Sequence, residues 1–330
     1  DSVYEPSEGV VRDFTRLAQE PIEPAVCAEA RAFVHTYKQK TVLYEGVFTP
    51  SRNRRGVFAQ VVRVCRKGMT AFRILIAELC YRLGGGSDDN HMKGFLVPAF
   101  YAALIKPFRV WVTRWYFHKR YIREDALASL SYAFYPLHKE PEVTLLVYNR
   151  YFLNQIEVIR NIAQSLPVGM TLLVKEHPAS LGYRPLSYYK KICAIPNVRL
   201  VDPAVSSRSG ITHSRLVTVI GGTIGLEAVM LEKPVLVIGH ALYELIGLPM
   251  IARLMQYDAM ATTVQELLSS YRYDEQKLIQ FISCVIARSV NVDLYSKLLQ
   301  RADAHRIDAD ASFDEQCDRL QHYLQDSLRH

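Results

Sequence analysis

The sequence predicts an α/β fold on a parallel sheet, and three features of residues 127–262 carry that reading. Short runs of apolar and β-branched residues recur, apolar throughout as buried strands are. Segments with helical periodicity alternate with them. The spacing leaves room for a helical crossover between successive strands, which makes the strands parallel and the crossovers right-handed.

In chain order, "SYAFYPL" (131–137) reads as a strand and "NQIEVIRNIAQSL" (154–166) as an amphipathic helix. The strand "MTLLV" (170–174), the helix "LSYYKKICA" (186–194) and the short strand "VRLV" (198–201) follow. A further strand, helix and strand are "RLVTVI" (215–220), "TIGLEAVML" (223–231) and "PVLVI" (234–238). From Thr263 onward the chain is helical: "TVQELLSSY", "EQKLIQFISCVIARSV", "VDLYSKLLQRADAHR" and "SFDEQCDRLQHYLQDSL". No internal repeat is visible.

Ahead of the sheet the texture differs. Pro21 and Pro24 interrupt a helical start that resumes in "AVCAEARAFVHTYKQ", and "SRNRRG" (51–56) is a basic loop. The stretch 57–83 has apolar positions at helical spacing with Arg and Lys opposite, and "GGGS" (84–87) reads as a flexible linker. "FLVPAFYAALIKPFRVWVTRWYFHKRYIR" (95–123) is rich in aromatics and cations. The predicted plan is a basic helical part over 1–126, a Rossmann-like domain over 127–262, and C-terminal helices over 263–330 packing on it.

Composition is that of an ordinary globular chain, with 330 residues, 49% hydrophobic and 22% charged. No apolar run is long enough for a spanning helix. The chain opens on Asp1 without a signal-peptide pattern, and the expectation is a fragment of something longer. The formal net charge is +7, and residues 1–126 hold all of it, with 20 Lys and Arg against 13 Asp and Glu. That asymmetry calls for an acidic partner, either anionic lipid, acidic glycan or nucleic acid. Nucleic acid is the weakest of these, because no recognised binding module accompanies the cations. Six scattered cysteines form no CxxC pair, so buried free thiols in a reducing, cytoplasmic setting are expected.

In such a sheet, ligands bind outside the carboxyl ends of the strands, so the residues just past each strand matter most. "YPLHKEPE" places His138, Glu140 and Glu142 there, either as a solvated loop or as a general base with its orienter. "KEHP" places Lys175, Glu176 and His177 there. Lys as a point charge and His as a donor suit a phosphate or carboxylate, although a capped loop fits equally. "VTVIGGTIGLEAVMLEKPVLVIG" (217–239) runs a strand into Gly221 and Gly222, and Thr223 then opens a helix. Paired glycines admit close approach to a ligand, and a helix start offers N–H groups to an anion. The stretch is neither a P-loop nor a GxGxxG fingerprint. Thr223 could be a plain N-cap. Glu227, four residues on, suits ribose hydroxyls or compensates the helix dipole.

Taken together, these motifs resemble the capsule and surface-polysaccharide biosynthesis glycosyltransferases, which include bacterial Kdo transferases. The resemblance covers roughly 130–245 and implies the donor-binding half of a GT-B fold. "KEHP" is similar to the His-Pro motif of sialyl- and polysialyltransferases that use CMP-sugars, and "GGTIGLEA" to their Ser/Thr motif. It implies phosphate contacts at His177 and Thr223, a nucleotide contact at Glu227, and active-site loop residues at His138 and Glu142. Lys175, Glu176, Gly221 and Gly222 complete the implied donor site. The implied activity moves Kdo or a sialic-acid-like sugar from a CMP-sugar to a surface polysaccharide or glycolipid, with no metal and no cofactor beyond the donor. The basic part would then work at the inner face of the cytoplasmic membrane. A UDP-sugar transferase with Arg184 and Arg208 as a diphosphate clamp, a nucleotide-sugar 2-epimerase, and a non-catalytic glycan- or nucleotide-binding subunit are the alternatives. The departure from the pattern is residues 1–126, which lack the βαβ series of an acceptor domain.

Overall fold

The computed structural model describes residues 22–39, 101–140, 142–177, 180–290 and 313–329, with Thr15 and Ile76 as single positions. The predicted basic loop 51–56, helix 57–83 apart from Ile76, linker 84–87 and helix 292–306 lie outside the described residues, as do Pro141 and Pro178.

Six strands form one parallel sheet: β1 (Tyr132–Pro136), β2 (Thr171–Lys175), β3 (Val198–Leu200), β4 (Leu216–Val219), β5 (Val235–Val237) and β6 (Ile251–Arg253). Their order is β3-β2-β1-β4-β5-β6, with every pairing parallel. The Rossmann-type expectation is borne out. Chain order runs outward from β1 to β3, then returns to β4 and runs to β6, so the direction reverses between β1 and β4. That reversal opens a crevice at the carboxyl edge of the sheet.

β1 lies between β2 and β4, and helices cover both faces of the sheet. Tyr132, Ala133, Phe134 and Tyr135 are therefore all at 0% exposure, and the strand reads as an unbroken apolar run. The Tyr132 hydroxyl meets its hydrogen-bonding requirement by donating to the Gly210 carbonyl at 2.7 Å.

The described helices are α1 (Pro24–Gln39), α2 (Lys106–Phe117), α3 (Gln155–Ser165), α4 (Leu186–Cys193), α5 (Ser207–Thr212), α6 (Ile224–Met230), α7 (Met260–Ser270), α8 (Glu275–Ala287) and α9 (Phe313–Arg329). Right-handed crossovers put α3 on one face of the sheet and α5 and α6 on the other. The packing agrees, since α3 meets α7, while α6 meets α5 and α1, and α1 lies along α8. Side-chain caps start three of them. Asn154 accepts from the Glu157 N–H (3.4 Å), Ser206 from Ser209 (2.9 Å) and Asp274 from Lys277 (3.1 Å).

The chain divides into two compact units, residues 1–48, 122–179 and 192–330 in one, and 49–121 with 180–191 in the other. Helix α1 goes with the sheet because Ala30, Val34 and Tyr37, on one helical face, are buried in its core. In the second unit, the Arg109 guanidinium donates to the Tyr183 carbonyl at 2.9 Å and to the Tyr101 hydroxyl at 3.1 Å, tying α2 to the loop before α4.

Gly210 in α5 has no room for a side chain, because a Cβ there would lie 2.6 Å from the Phe134 ring at the centre of the sheet. Gly210→Ala should therefore cost about 1–3 kcal/mol of stability, the range for an overpacked core. A lower urea midpoint with unchanged slope is the expected result, and an unchanged midpoint would show that Phe134 moves aside freely.

Candidate functional site

Two loops meet at the reversal point. One follows β1 and carries His138, and the other follows β4 and carries Gly221 and Gly222. Gly222 has φ +80°, and a Cβ added to it would lie 3.5 Å from His138 Cε1. The half-buried imidazole thus sits against the exposed glycine turn. The two glycines serve different needs. Gly222 is required by its left-handed backbone. At Gly221 a Cβ would come 2.8 Å from the His240 carbonyl, so its smallness admits the protein's own chain at the end of β5.

Two buried carboxamides hold these loops, and the sequence reading missed both. Gln155, the first residue of α3, accepts from the His138 N–H at 2.9 Å and donates to the His138 carbonyl at 3.2 Å. It also donates to the Glu140 carboxylate. Asn149 does the same for the loop after β5, accepting from the His240 N–H at 2.7 Å while donating to the Thr144 carbonyl at 2.9 Å. A carboxamide offers one donor and one acceptor face, as a peptide group does, so each continues the ladder where it has run out. Asn and Gln among polar neighbours carry no sequence signal that separates this role from ordinary loop polarity.

On the neighbouring loop after β2, Lys175 and Glu176 are both buried at 3% exposure and only His177 is exposed. Burial pushes the Lys175 ammonium down to about 8, against the pull of Glu176 and Asp202. The Glu176 carboxylate accepts from the His177 N–H at 2.7 Å, which fixes the backbone that presents the imidazole. Of the three residues expected at a donor, only His177 presents its side chain to solvent. The other two lie beneath it.

Thr223 occupies the N-cap position of α6, but its hydroxyl makes no capping bond. It lies 3.3 Å from Glu227 Oε1, while Glu227 Oε2 accepts from the Tyr37 hydroxyl at 2.7 Å. Both expected partners for Glu227, a ribose or the dipole alone, must be set beside this observed one. Tyr37 is 190 residues away, and the pair joins α1 to α6. Burial raises the Glu227 carboxyl above its ordinary value, with Tyr37, Thr223 and Arg208 pulling the other way. Arg208 donates to the Tyr37 and Lys38 carbonyls at the end of α1, at 2.8 and 2.6 Å. Those guanidinium nitrogens are already engaged, which speaks against its role as a diphosphate clamp. The Glu142 backbone carbonyl accepts from the Leu145 and Leu146 N–H groups at the start of the π-helical turn Thr144–Tyr148, and burial raises the Glu142 carboxyl, with Lys139 opposing.

Beyond β5 and β6 lies a cluster the sequence reading also missed. Arg253 donates to His240 Nε2 at 3.0 Å and to Glu244 Oε1 at 3.2 Å. An Arg donor requires Nε2 as acceptor, which assigns the imidazole proton to Nδ1, the side nearer Glu244. Among the described residues no group of three or more His, Cys, Asp or Glu is placed to hold a metal ion. The described cysteines are free, with Cys284 buried and Cys193 exposed, so burial is not common to them as expected.

The strand order and its reversal between β1 and β4 define a Rossmann-type α/β domain. Residues 152–281 match the family model described as capsule polysaccharide biosynthesis protein. No curated protein matches the chain significantly. Among solved structures, a Thermosulfurimonas dismutans KpsC β-Kdo 2,7 transferase is 14% identical with TM-score 0.33, over 58% of this chain and 59% of that one. The β-Kdo 2,4 transferase of the same KpsC is 13% identical with TM-score 0.29, over 47% and 44%. S. aureus MnaA, solved with UDP, is 15% identical with TM-score 0.33, over 54% and 48%. The chain spans between 38% and 59% of the length of eight of the solved structures it matches. At such TM-scores the fold assignment rests on this chain's own strand order.

Two outcomes follow from the carboxamide and the carboxylate. Gln155→Met keeps the volume but strands the His138 backbone groups, so it should cost about 1–3 kcal/mol in chemical denaturation. Glu227 holds its proton to higher pH in the folded than in the unfolded chain, whose ordinary value is 4.5. Its contribution is complete below that value and is lost as pH rises through the folded one. Glu227→Gln cannot titrate, so wild-type stability should fall relative to the variant as pH climbs from about 4.5 towards neutrality. A stability gap that stays constant with pH would mean an unshifted carboxyl.

Proposed function

We propose that this chain is the nucleotide-sugar-binding part of a glycosyltransferase that builds a surface or capsular polysaccharide or glycolipid. The observation that carries the reading is the meeting of the His138 imidazole with the Gly222 turn at the reversal point of the sheet, one flank of it inside the segment matching the capsule family. In this reading the donor phosphate lies over Gly222 and Thr223, with His177 donating to it from the adjacent loop. Positive and dipolar groups placed there offset charge as the nucleotide departs, a task that calls for no metal. His138 and Glu142 are the candidates for proton transfer to or from the reacting groups, Glu142 because burial lifts its carboxyl towards working pH. Lys175 and Glu176 support the His177 loop from below.

The favoured donor is a CMP-sugar carrying Kdo or a sialic-acid-like sugar. A single phosphate needs few partners, and Arg208, one of two residues considered for a diphosphate clamp, is occupied at the end of α1. The acceptor would be a glycan or glycolipid, and the site of work the inner face of the cytoplasmic membrane.

Calorimetry with CMP, UDP and GDP tests the donor. CMP should bind most tightly, and His177→Ala should weaken it about tenfold while leaving the melting transition in place, the scale of one charge-assisted hydrogen bond. UDP binding tighter than CMP would remove the CMP-sugar but keep the transferase. Epimerisation of a UDP-sugar without acceptor would replace the transferase by an epimerase, and binding of nucleotide without turnover would leave a binding subunit.

A further inference from the structure

Helix α2 is amphipathic in the reverse sense. Leu104, just before it, and Phe108, Trp111 and Trp115 fall at intervals of four, three and four residues, which is one helical face. These side chains point outward, at 58%, 62%, 62% and 66% exposure. Two of the helix's three cations, which a soluble helix would show to water, turn towards the opposite side. Lys106 Nζ sits 4.1 Å above the Tyr183 ring, and Arg109 bonds the Tyr183 carbonyl and the Tyr101 hydroxyl. Thr113 and Phe117 are buried on that inner side. The apolar face is therefore locked outward by specific bonds.

Its border is cationic. At 100° per residue, Arg114 falls on one side of the stripe and Lys119, just past the helix end, on the other, with His118 between, all exposed. Aromatic rings in an apolar stripe, with Arg and Lys at its rim, match the boundary between acyl chains and anionic headgroups. The surrounding sequence has the same sign, because residues 1–126 hold the whole +7 of the chain. No helix among the described residues is long and apolar enough to cross a membrane, so the fitting mode is a helix lying in the interface.

We propose that the Leu104–Phe108–Trp111–Trp115 face of α2 inserts into the surface of an anionic bilayer, with Arg114 and Lys119 on lipid headgroups. The attraction has two parts. The aromatics supply burial and the cations supply a salt-sensitive preference for negative lipid.

The chain contains its own probe. Trp111 and Trp115 are the two tryptophans of the sequence, so intrinsic tryptophan emission reports on this face alone. Phosphatidylcholine vesicles with about 30% phosphatidylglycerol should shift full-chain emission to the blue, protect it from acrylamide and float the protein, and pure phosphatidylcholine should do so weakly. Phe108→Ser with Trp115→Ser should lower vesicle partitioning about tenfold or more while Trp111 still reports, since two buried aromatics are removed. Arg114→Glu with Lys119→Glu should abolish the preference for anionic vesicles and its salt dependence. A thermal melt like the parent's keeps each variant informative. Emission unchanged by saturating anionic vesicles would overturn the proposal. So would a blue shift that follows protein concentration without lipid, which would assign the face to a second copy of the chain.

Discussion

A parallel sheet satisfies its backbone along the strands and abandons it at their carboxyl ends, and this structure depends on how those ends are finished. The loops after β1 and β5 must turn away while staying partly buried, where an unpaired N–H or C=O is costly. Gln155 and Asn149 meet that demand with one carboxamide each, donor and acceptor used together. The consequence reaches the site directly. His138 stands against Gly222 because its own peptide groups are clamped from the start of α3, and Gly221 can press on the His240 carbonyl because Asn149 holds that loop. Two buried polar side chains thereby fix the shape of the loops at the reversal point.

The same division between holding and facing runs through the charged residues. Lys175 and Glu176 are buried beneath an exposed His177, and Glu227 is half-buried between Tyr37 and Thr223. A carboxylate in that position links the glycine turn to α1, a helix from the far end of the chain. Arg208 reinforces the link by donating to the carbonyls that end α1, where cations suit the helix dipole. Any anion taken up at Gly222 and Thr223 would therefore act on a hydroxyl already engaged with Glu227, and through it on the seat of α1.

Most of the sheet was legible because buried parallel strands are apolar runs, and their bounds fall within a residue or two of those read from the sequence. β6 was missed since Ile251–Arg253 is three residues at an edge, where pairing with β5 and not side-chain pattern makes the strand. α5 was missed because "SRSGIT" is polar, and only the Ser206 cap and the fit of Gly210 against Phe134 place it. At the reversal point, local spacing singled out His138, the glycines and Thr223, which the fold brings onto adjoining loops. It could not find Tyr37, 190 residues from its partner, nor the tasks of Asn149 and Gln155, which are set by loops that come together only in the fold.

Helix α2 shows the same limit in another form. "KPFRVWVTRWYF" has an apolar stripe and a cationic side, and periodicity alone would bury the stripe. The outcome is decided by what the cations find. Lys106 gains the Tyr183 ring and Arg109 gains a carbonyl and a hydroxyl, contacts that water-facing positions could not supply. With the cations satisfied inside, the aromatics have nowhere but outward to go. Exposed apolar area of this kind is unfavourable in water and persists here because specific polar bonds outweigh it. An outer face unfavourable in water is what a lipid boundary relieves, so the bonds that orient the helix also set the surface it can use.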